Sequence, residues 1–434
     1  MTRVGPERPG VPGRNLGGAL IGNAAALIAT SAVTSGLGFV FWWAAARLLP
    51  PEVIGQGTAL ISVMTLLGTL AMLGVGSMLI SELPGLRTRG PAVLSAGLLS
   101  VAGTSGLIAI LAAPVLSHLL PHLAQAVSTP WLGTLFVTGV VLTTISLVFD
   151  QAVIGLLNGP LQLRRNLIAA LIRVAALALF ARLVPHPQAI FSTWTAATAV
   201  SLLAVGLARA DGRAMLARPA WRTLRRLAPS ALRHHLLNLA MQAPGLIMPV
   251  LVATQVSARE NAQFYLAWLI AGFLGMIPYS LAAVLPALQT QSFQTQPLSG
   301  PSGRMRSSLR WSLLGCGIGV TCLMLLAEPL MSLFGASYQG GVPALQLLSL
   351  TAFPVIVKAH YVALGRLEDR MMQVAGVVAA SGLLELLAVW ISGRVGGLSG
   401  MAAGLLGAYL LGAVFMLPAV LKSAGRGQKT VVLP

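Results

Sequence analysis

Apolar stretches of about twenty residues recur along nearly the whole of this chain, with basic residues in the gaps between them. At 1.5 Å of rise per residue, about twenty residues of helix cross a hydrocarbon layer of ~30 Å. Twelve such stretches are recognisable, at 20–46, 54–80, 92–117, 131–157, 165–184, 189–208, 232–254, 262–286, 309–333, 342–364, 371–393 and 398–421. Charged residues make up 9% of the chain and the mean hydropathy is +0.83, whereas a soluble domain carries roughly 25% charge. In lipid no water is at hand to satisfy exposed N–H and C=O groups, so a spanning segment must pair them internally. Runs of this length do that as helices. The expected fold class is an all-α polytopic membrane protein with twelve transmembrane helices.

The distribution of Lys and Arg orients these helices. Cytoplasmic loops carry the excess of positive charge. With the N-terminus inside, the inner segments hold 3 in the first tail, 9 in short loops, 7 in the central link from Ala208 to Arg233 and 3 in the last tail, 22 of 28 in all. The outer loops hold only Arg47, Arg182, Arg259 and Arg394, and Arg173 and Lys358 fall within spans. The opposite parity or an odd number of helices spoils this ratio, so both termini are expected to be cytoplasmic. Trp42, Trp43, Trp131, Trp194 and Trp390 fall near outer ends and Trp311 near an inner one, as an aromatic belt requires. The net charge of +18 does not indicate nucleic acid, because the basic residues lie between apolar runs and not on one soluble face. Cys316 and Cys322 share an apolar run and are expected to behave as small hydrophobes.

Five segments follow: a tail at 1–14, a six-helix lobe at 15–208, a basic linker at 209–231, a second six-helix lobe at 232–421 and a tail at 422–434. In the linker, Trp221, Leu224 and Leu227 recur at helical spacing with Arg222, Arg225 and Arg226 between them. This pattern suits an amphipathic helix on an anionic leaflet. Weak matches link the halves. An offset of 206 places Gly159 and Arg164 on Gly365 and Arg370, and an offset of 207 places Gly55-Gln56 on Ala262-Gln263. Two pseudo-symmetric lobes are expected. An even number of spans per repeat makes them parallel, related by an axis along the membrane normal.

No loop between spans is long enough for a soluble catalytic domain, and no GxxxxGK[ST] phosphate loop is present; the chain is not expected to be an enzyme or to hold a metal or cofactor. The informative residues are ionisable groups inside spans, which are expensive there and mark functional candidates. Asp150 and Arg173 flank the Asn158-Gly159-Pro160 turn. They are either a buried neutralising pair, or a cation facing an anionic substrate beside an acid that tunes it or binds a coupling cation. Lys358 and His360 lie in the tenth span. Lys358 has no evident partner at its level in the eleventh, where Gly376 falls, and is expected to line a cavity. Glu385 is a second ion-coupling candidate, for H+ or Na+. Asn238 and Gln242 are polar lining candidates in the seventh span, where Gln242-Ala243-Pro244-Gly245 is expected to kink the helix.

Several pieces resemble polysaccharide flippases of the Wzx type. Ala45-Ala46-Arg47-Leu48-Leu49-Pro50-Pro51-Glu52-Val53-Ile54-Gly55 resembles their first junction. Gly74-Val75-Gly76 before Ser81-Glu82 is similar to the end of their second span. Leu333-Phe334-Gly335-Ala336-Ser337-Tyr338 leading into Ala344-Leu345-Gln346 is similar to the loop before their tenth span, and Ala363-Leu364-Gly365-Arg366 to their tenth-to-eleventh junction. That family belongs to a wider group with the multidrug extruders (MATE) and the lipid II flippase MurJ. The resemblance implies a multi-pass protein of a bacterial cell (inner or plasma) membrane, with two lobes around a central cationic cavity. It implies alternating access, and transfer of undecaprenyl-pyrophosphate-linked oligosaccharide from the inner to the outer leaflet. Glycan polymerases and glycosyltransferases become expected partners, alongside membrane lipids. Under this reading Arg173, Lys358, His360 and Arg47 are the cationic cavity candidates. A MATE-type cation-coupled exporter is the alternative, and it favours acidic cavities.

Overall fold

The computed structural model describes residues 34–86, 89–119, 129–156, 158–183, 187–208, 217–291, 301–368 and 370–425, and these are helical throughout apart from turns. In the N-terminal half, α1 covers 34–48, and the earlier part of the first expected span lies outside the described residues. It is followed by α2 (Pro51–Ala71), α3 (Val75–Glu82), α4 (Gly90–Leu119), α5 (Pro130–Gly155), α6 (Gly159–Leu183) and α7 (Pro187–Ala208). In the C-terminal half come α8 (Trp221–Ala253), α9 (Ala258–Gln291), α10 (Pro301–Ser332), α11 (Val342–Leu350) and α12 (Ala352–Leu367). The helical segment Met371–Gly425 is interrupted at Gly397, whose φ of +54° and ψ of −139° leave the helix; its two parts are α13 and α14. A glycine tolerates that conformation without a Cβ clash, so the break falls in the gap between the expected spans 371–393 and 398–421. Among the described residues, eight helices are long and apolar enough to cross a membrane, counting Met371–Gly425 as one.

Proline explains many of the starts. Pro51, Pro130, Pro160, Pro187, Pro301 and Pro343 occupy the first turns of α2, α5, α6, α7, α10 and α11, where a missing N–H costs nothing. Inside a span proline acts differently. The expected tenth span is divided at Thr351, because Pro354 cannot donate to the carbonyl of Leu350. The expected second span is also divided. Leu73 and Gly74 take φ of +45° and +80°, and the hydroxyl of Thr104 donates to the Ala71 carbonyl at 3.0 Å, satisfying a group near the break.

The linker differs from its expected form. From Trp221 onwards it is the first third of α8, continuous with the seventh span and not a separate surface helix. Leu224 is buried with Val75, Leu79 and Val93 of the N-terminal lobe, and Leu227 packs against the same cluster. The Ala220 N–H donates to the Ala92 carbonyl at 2.9 Å. Arg222, Arg225 and Arg226 remain exposed. Two of the three apolar residues seen in the sequence, Leu224 and Leu227, are therefore covered by protein, while Trp221 stays 43% exposed. α8 also runs unbroken through Pro244, against which Gly382 of α13 packs so closely that a Cβ there would lie 1.9 Å from the proline ring.

The largest buried cluster joins the two halves. It gathers Trp42, Ile54, Leu177, Ile190, Met248, Phe264, Tyr338 and Val389, at the end of the bundle carrying the α1–α2, α6–α7 and α8–α9 turns. At that end the starts of α2 and α9 meet. Asn261 donates to the Gly55 carbonyl at 2.7 Å, and Arg259 donates to Glu52 at 2.8 Å. Glu52 and Arg259 are 207 residues apart, the separation at which the halves were matched. Residues on a pseudo-two-fold axis meet their own equivalents, so this contact is where two repeats should touch. A Cβ on Gly55 would lie 1.7 Å from the Ala258 carbonyl oxygen, so glycine is required for the closure.

The exposed Glu52–Arg259 pair contributes about 0.2–1 kcal/mol, so the clasp rests on the backbone approach. Replacing Gly55 by valine is expected to drive the starts of α2 and α9 apart, whereas Glu52→Gln leaves them closed. Electron–electron distance measurements between spin labels at positions 48 and 257 check this, and an unchanged distance distribution in Gly55→Val refutes it.

Candidate functional site

Two buried cations, Arg165 and Lys358, are each neutralised within their own lobe. Arg165 makes a two-pronged contact with Asp150: Nε donates to Oδ1 at 2.9 Å and Nη2 to Oδ2 at 2.5 Å. Its Nη1 donates to the Ser146 hydroxyl at 2.7 Å and Nη2 also to Asn166 at 2.7 Å. Arg165 is 3% exposed. This corrects the expected pairing of Asp150 with Arg173. α5 and α6 form an antiparallel hairpin about Asn158-Gly159, and Asp150 lies eight residues before Asn158 while Arg165 lies seven after it. Arg173 is two further turns along α6, about 12 Å away in axial rise.

The second pair is Lys358–Glu385, at 2.8 Å. Lys358 is therefore not unpaired, contrary to the sequence expectation. Side chains on a helix lean towards its N-terminus. α12 and α13 run antiparallel, so Lys358 leans one way along the bundle and Glu385 the other, and residues at different levels meet. The Ser381 hydroxyl donates to the same Glu385 oxygen at 3.1 Å, and the Lys358 ammonium lies 5.0 Å from the Tyr409 ring centre. Both members line a cavity of 600 Å³ with Gln242, Tyr279 and Arg366. Gln242 is thus a cavity-lining residue as expected. Asn238 lies in α8, but its side chain is outside the described residues.

His360 is 0% exposed and does not face this cavity. Its Nδ1 is 2.8 Å from the Ile356 carbonyl and its Nε2 is 2.8 Å from the Ser308 hydroxyl. A carbonyl only accepts, so Nδ1 carries the hydrogen that Ile356 receives, and Nε2 shares its hydrogen bond with the Ser308 hydroxyl. His360 therefore ties α12 to α10, in place of its expected cationic role. Arg47 is exposed at the closed end, where Nε donates to the Leu333 carbonyl at 2.8 Å; it joins the halves and does not line the 600 Å³ cavity.

Arg173 is different. Its guanidinium carbon lies 3.8 Å from the centre of the Trp194 ring. Trp194 approaches Trp42 at 6.3 Å, and Trp42 meets Tyr265 of α9 edge-on at 5.0 Å. The aromatic series carries Arg173 of one half to the seam with the other. The ionisable groups that act on Arg173 are Arg165, a second cation, and Tyr265; no carboxylate is among them. Its Nε is buried without a hydrogen-bond acceptor among the described residues. A guanidinium held on an aromatic face gains about 0.5–2 kcal/mol, and its remaining N–H groups still seek an acceptor. An oxyanion supplies it through charge-assisted hydrogen bonds. Sequence reasoning singled out Arg173 but missed Arg165, which it assigned to a loop. Counting outward from both sides of Asn158 would have found it.

No protein-family model and no curated protein matches the chain. Solved structures do match its fold. An inward-facing multidrug resistance MATE family transporter of the MOP superfamily superposes with a TM-score of 0.64 at 16% identity, covering 93% of this chain and all of that one. The lipid II flippase MurJ in an inward closed conformation gives 0.61 at 12% identity, covering 92% and 89%. An outward-facing MATE transporter of the same superfamily gives 0.58 at 14% identity, covering 94% and 95%. The chain therefore has the all-helical membrane fold shared by MATE transporters and MurJ.

Removing one partner of a buried pair leaves an uncompensated charge and costs about 3–5 kcal/mol, whereas replacing both with apolar groups is close to neutral. Glu385→Gln is expected to lower the melting temperature of the purified protein, and Lys358→Met with Glu385→Leu to restore most of it. Thermal unfolding of the three variants checks the pair, and additive losses in the double variant contradict it.

Proposed function

We propose that the protein is a membrane transporter that moves an undecaprenyl-pyrophosphate-linked oligosaccharide from the inner to the outer leaflet by alternating access. Three considerations support this reading. The fold is that of transporters with opposed conformations. The contact of α2 with α9 closes one end of the bundle, the end that the Lys/Arg distribution assigns to the outside. Above all, Arg173 stands at the seam of the lobes without a carboxylate among the described residues, whereas Arg165 and Lys358 each hold one. A pyrophosphate offers the paired oxygens that a planar guanidinium binds best.

In this mechanism Arg173 receives the pyrophosphate and Trp194 holds the guanidinium in place. Asp150 holds Arg165 and keeps the α5–α6 hairpin neutral. Opening of the α2–α9 clasp then exposes the same site to the other side. The twelve-span arrangement with both termini cytoplasmic belongs to this proposal, as does surface polysaccharide biosynthesis as its setting. The residues assigned above to ion coupling are both committed to cations, Asp150 to Arg165 and Glu385 to Lys358, so H+ or Na+ would have to displace one of these. A second reading, a cation-coupled exporter of the MATE type, is favoured by the presence of Glu385 in the 600 Å³ cavity.

The proposal is tested in proteoliposomes carrying a fluorescent undecaprenyl-pyrophosphate-linked oligosaccharide. Arg173→Gln is expected to lower its transfer at least tenfold, a loss of about 1.4 kcal/mol or more. Arg173→Lys should retain part of it, since it keeps the charge but loses the fork. Because Arg173 has no carboxylate partner, its replacement should leave the melting temperature near that of the unaltered protein. Wild-type transfer by Arg173→Gln rejects the role of Arg173. Export of cationic dyes with no glycolipid transfer selects the second reading.

A further inference from the structure

The C-terminal lobe contains two cavities that do not involve Arg173. The first, of 580 Å³, lies between α9, the α11–α12 break and α14. Trp268, Gly272, Gly275, Met276, Val355 and Leu405 are among its walls. The second, of 600 Å³, lies between α8, α9, α12 and α13 and contains Gln242, Lys358, Glu385 and Arg366. Tyr279 and Tyr409 line both cavities, so the two adjoin through the tyrosines. Along α12 the lining runs from Thr351 in the first to Arg366 in the second, about 22 Å of helix axis.

We propose that the two cavities form one binding site for a single-chain anionic amphiphile. Its hydrocarbon chain lies in the first cavity and its head group in the second, beside Arg366 and Lys358. Each volume is within the range of about 300–1,000 Å³ that holds small ligands. The chemistry of the two compartments is opposed. The first is walled by aromatic and aliphatic groups. The second holds two cations against one carboxylate and so carries a surplus of positive charge. Arg366 is exposed to that space and makes no ion pair among the described residues. The Lys358 bond to Glu385 uses one of three ammonium donors, leaving others for a head-group oxygen. Glycines keep the interior open: at Gly245, Gly272 and Gly275 an added Cβ would meet nothing within 4 Å. A Cβ introduced there enters open space, so larger side chains at these positions are the means to narrow the cavity. The site stands or falls separately from oligosaccharide transfer at Arg173.

The test uses the full chain in lipid nanodiscs and a long-chain alkyl phosphate with a diazirine at the chain end, with the alkyl alcohol of equal length as the neutral comparison. Crosslinks from the phosphate probe are expected on the Trp268–Met276 segment and on Val355. Gly275→Leu, and independently Gly272→Leu, should lower them about tenfold while leaving labelling of the outward-facing Leu325 and Phe415 unchanged. Arg366→Gln should weaken labelling by the phosphate probe and not by the alcohol. Crosslinks confined to Leu325, Phe415 and similar positions overturn the site. So does cavity labelling that neither glycine variant reduces. Equal cavity labelling by both probes, unaffected by Arg366→Gln, overturns the anionic head group.

Discussion

A charge taken into hydrocarbon must find a partner within the protein, and the arrangement of this molecule follows from how its few intramembrane charges do so. Arg165 with Asp150 and Lys358 with Glu385 each close their account within one helical hairpin. Such pairs seldom add net stability; they hold adjacent helices in register and remove charge from the lobe interior. Arg173 has only an aromatic face. The difference between a neutralised and an unneutralised cation is what separates scaffold from candidate binding site here.

The two halves share a plan but not their chemistry. Their equivalent residues meet at Glu52 and Arg259, beside the close approach of Gly55 to Ala258. Among the described residues each half carries one buried acid–base pair on an antiparallel hairpin, yet the pairs occupy unrelated positions: one near the turn, the other deeper and bordering a cavity. The N-terminal half places its free guanidinium at the seam. The C-terminal half has the adjoining cavities and Arg366. α8 crosses between them, with Leu224 packed in one lobe and Pro244 against α13 in the other, so a rigid element links the basic linker to the C-terminal interior. Movement of the lobes must accommodate this helix.

Parts of the site were legible before the structure. The expense of charge in a span was sufficient to select Asp150, Arg173, Lys358 and Glu385. Which of them pair was not. The partner of Asp150 depends on where the α5–α6 hairpin is centred, and an error of two turns moves the choice from Arg165 to Arg173. The partner of Lys358 depends on the lean of side chains towards helix N-termini, which brings together residues that a level-by-level reading keeps apart. His360 looked like a cavity cation because composition cannot tell which face of α12 meets α10. Arg47 looked the same because a junction arginine can turn inward or bridge to a carbonyl, and Leu333 is far from it in sequence.

By itself the sequence determined that this chain is a bundle of membrane-spanning helices. Apolar length and the need to satisfy backbone groups in lipid leave no other solution, and proline and glycine mark most of the boundaries. It also carried weak matches between the two halves, at the separation later found between Glu52 and Arg259. Tertiary structure alone decided which end is closed, which cation is left without a carboxylate among the described residues, and that the linker from Trp221 onwards is the start of α8. Those outcomes depend on contacts between residues from 15 to 207 positions apart. Their geometry is set by packing, such as the absence of a Cβ at Gly55, and no local pattern of polarity encodes it.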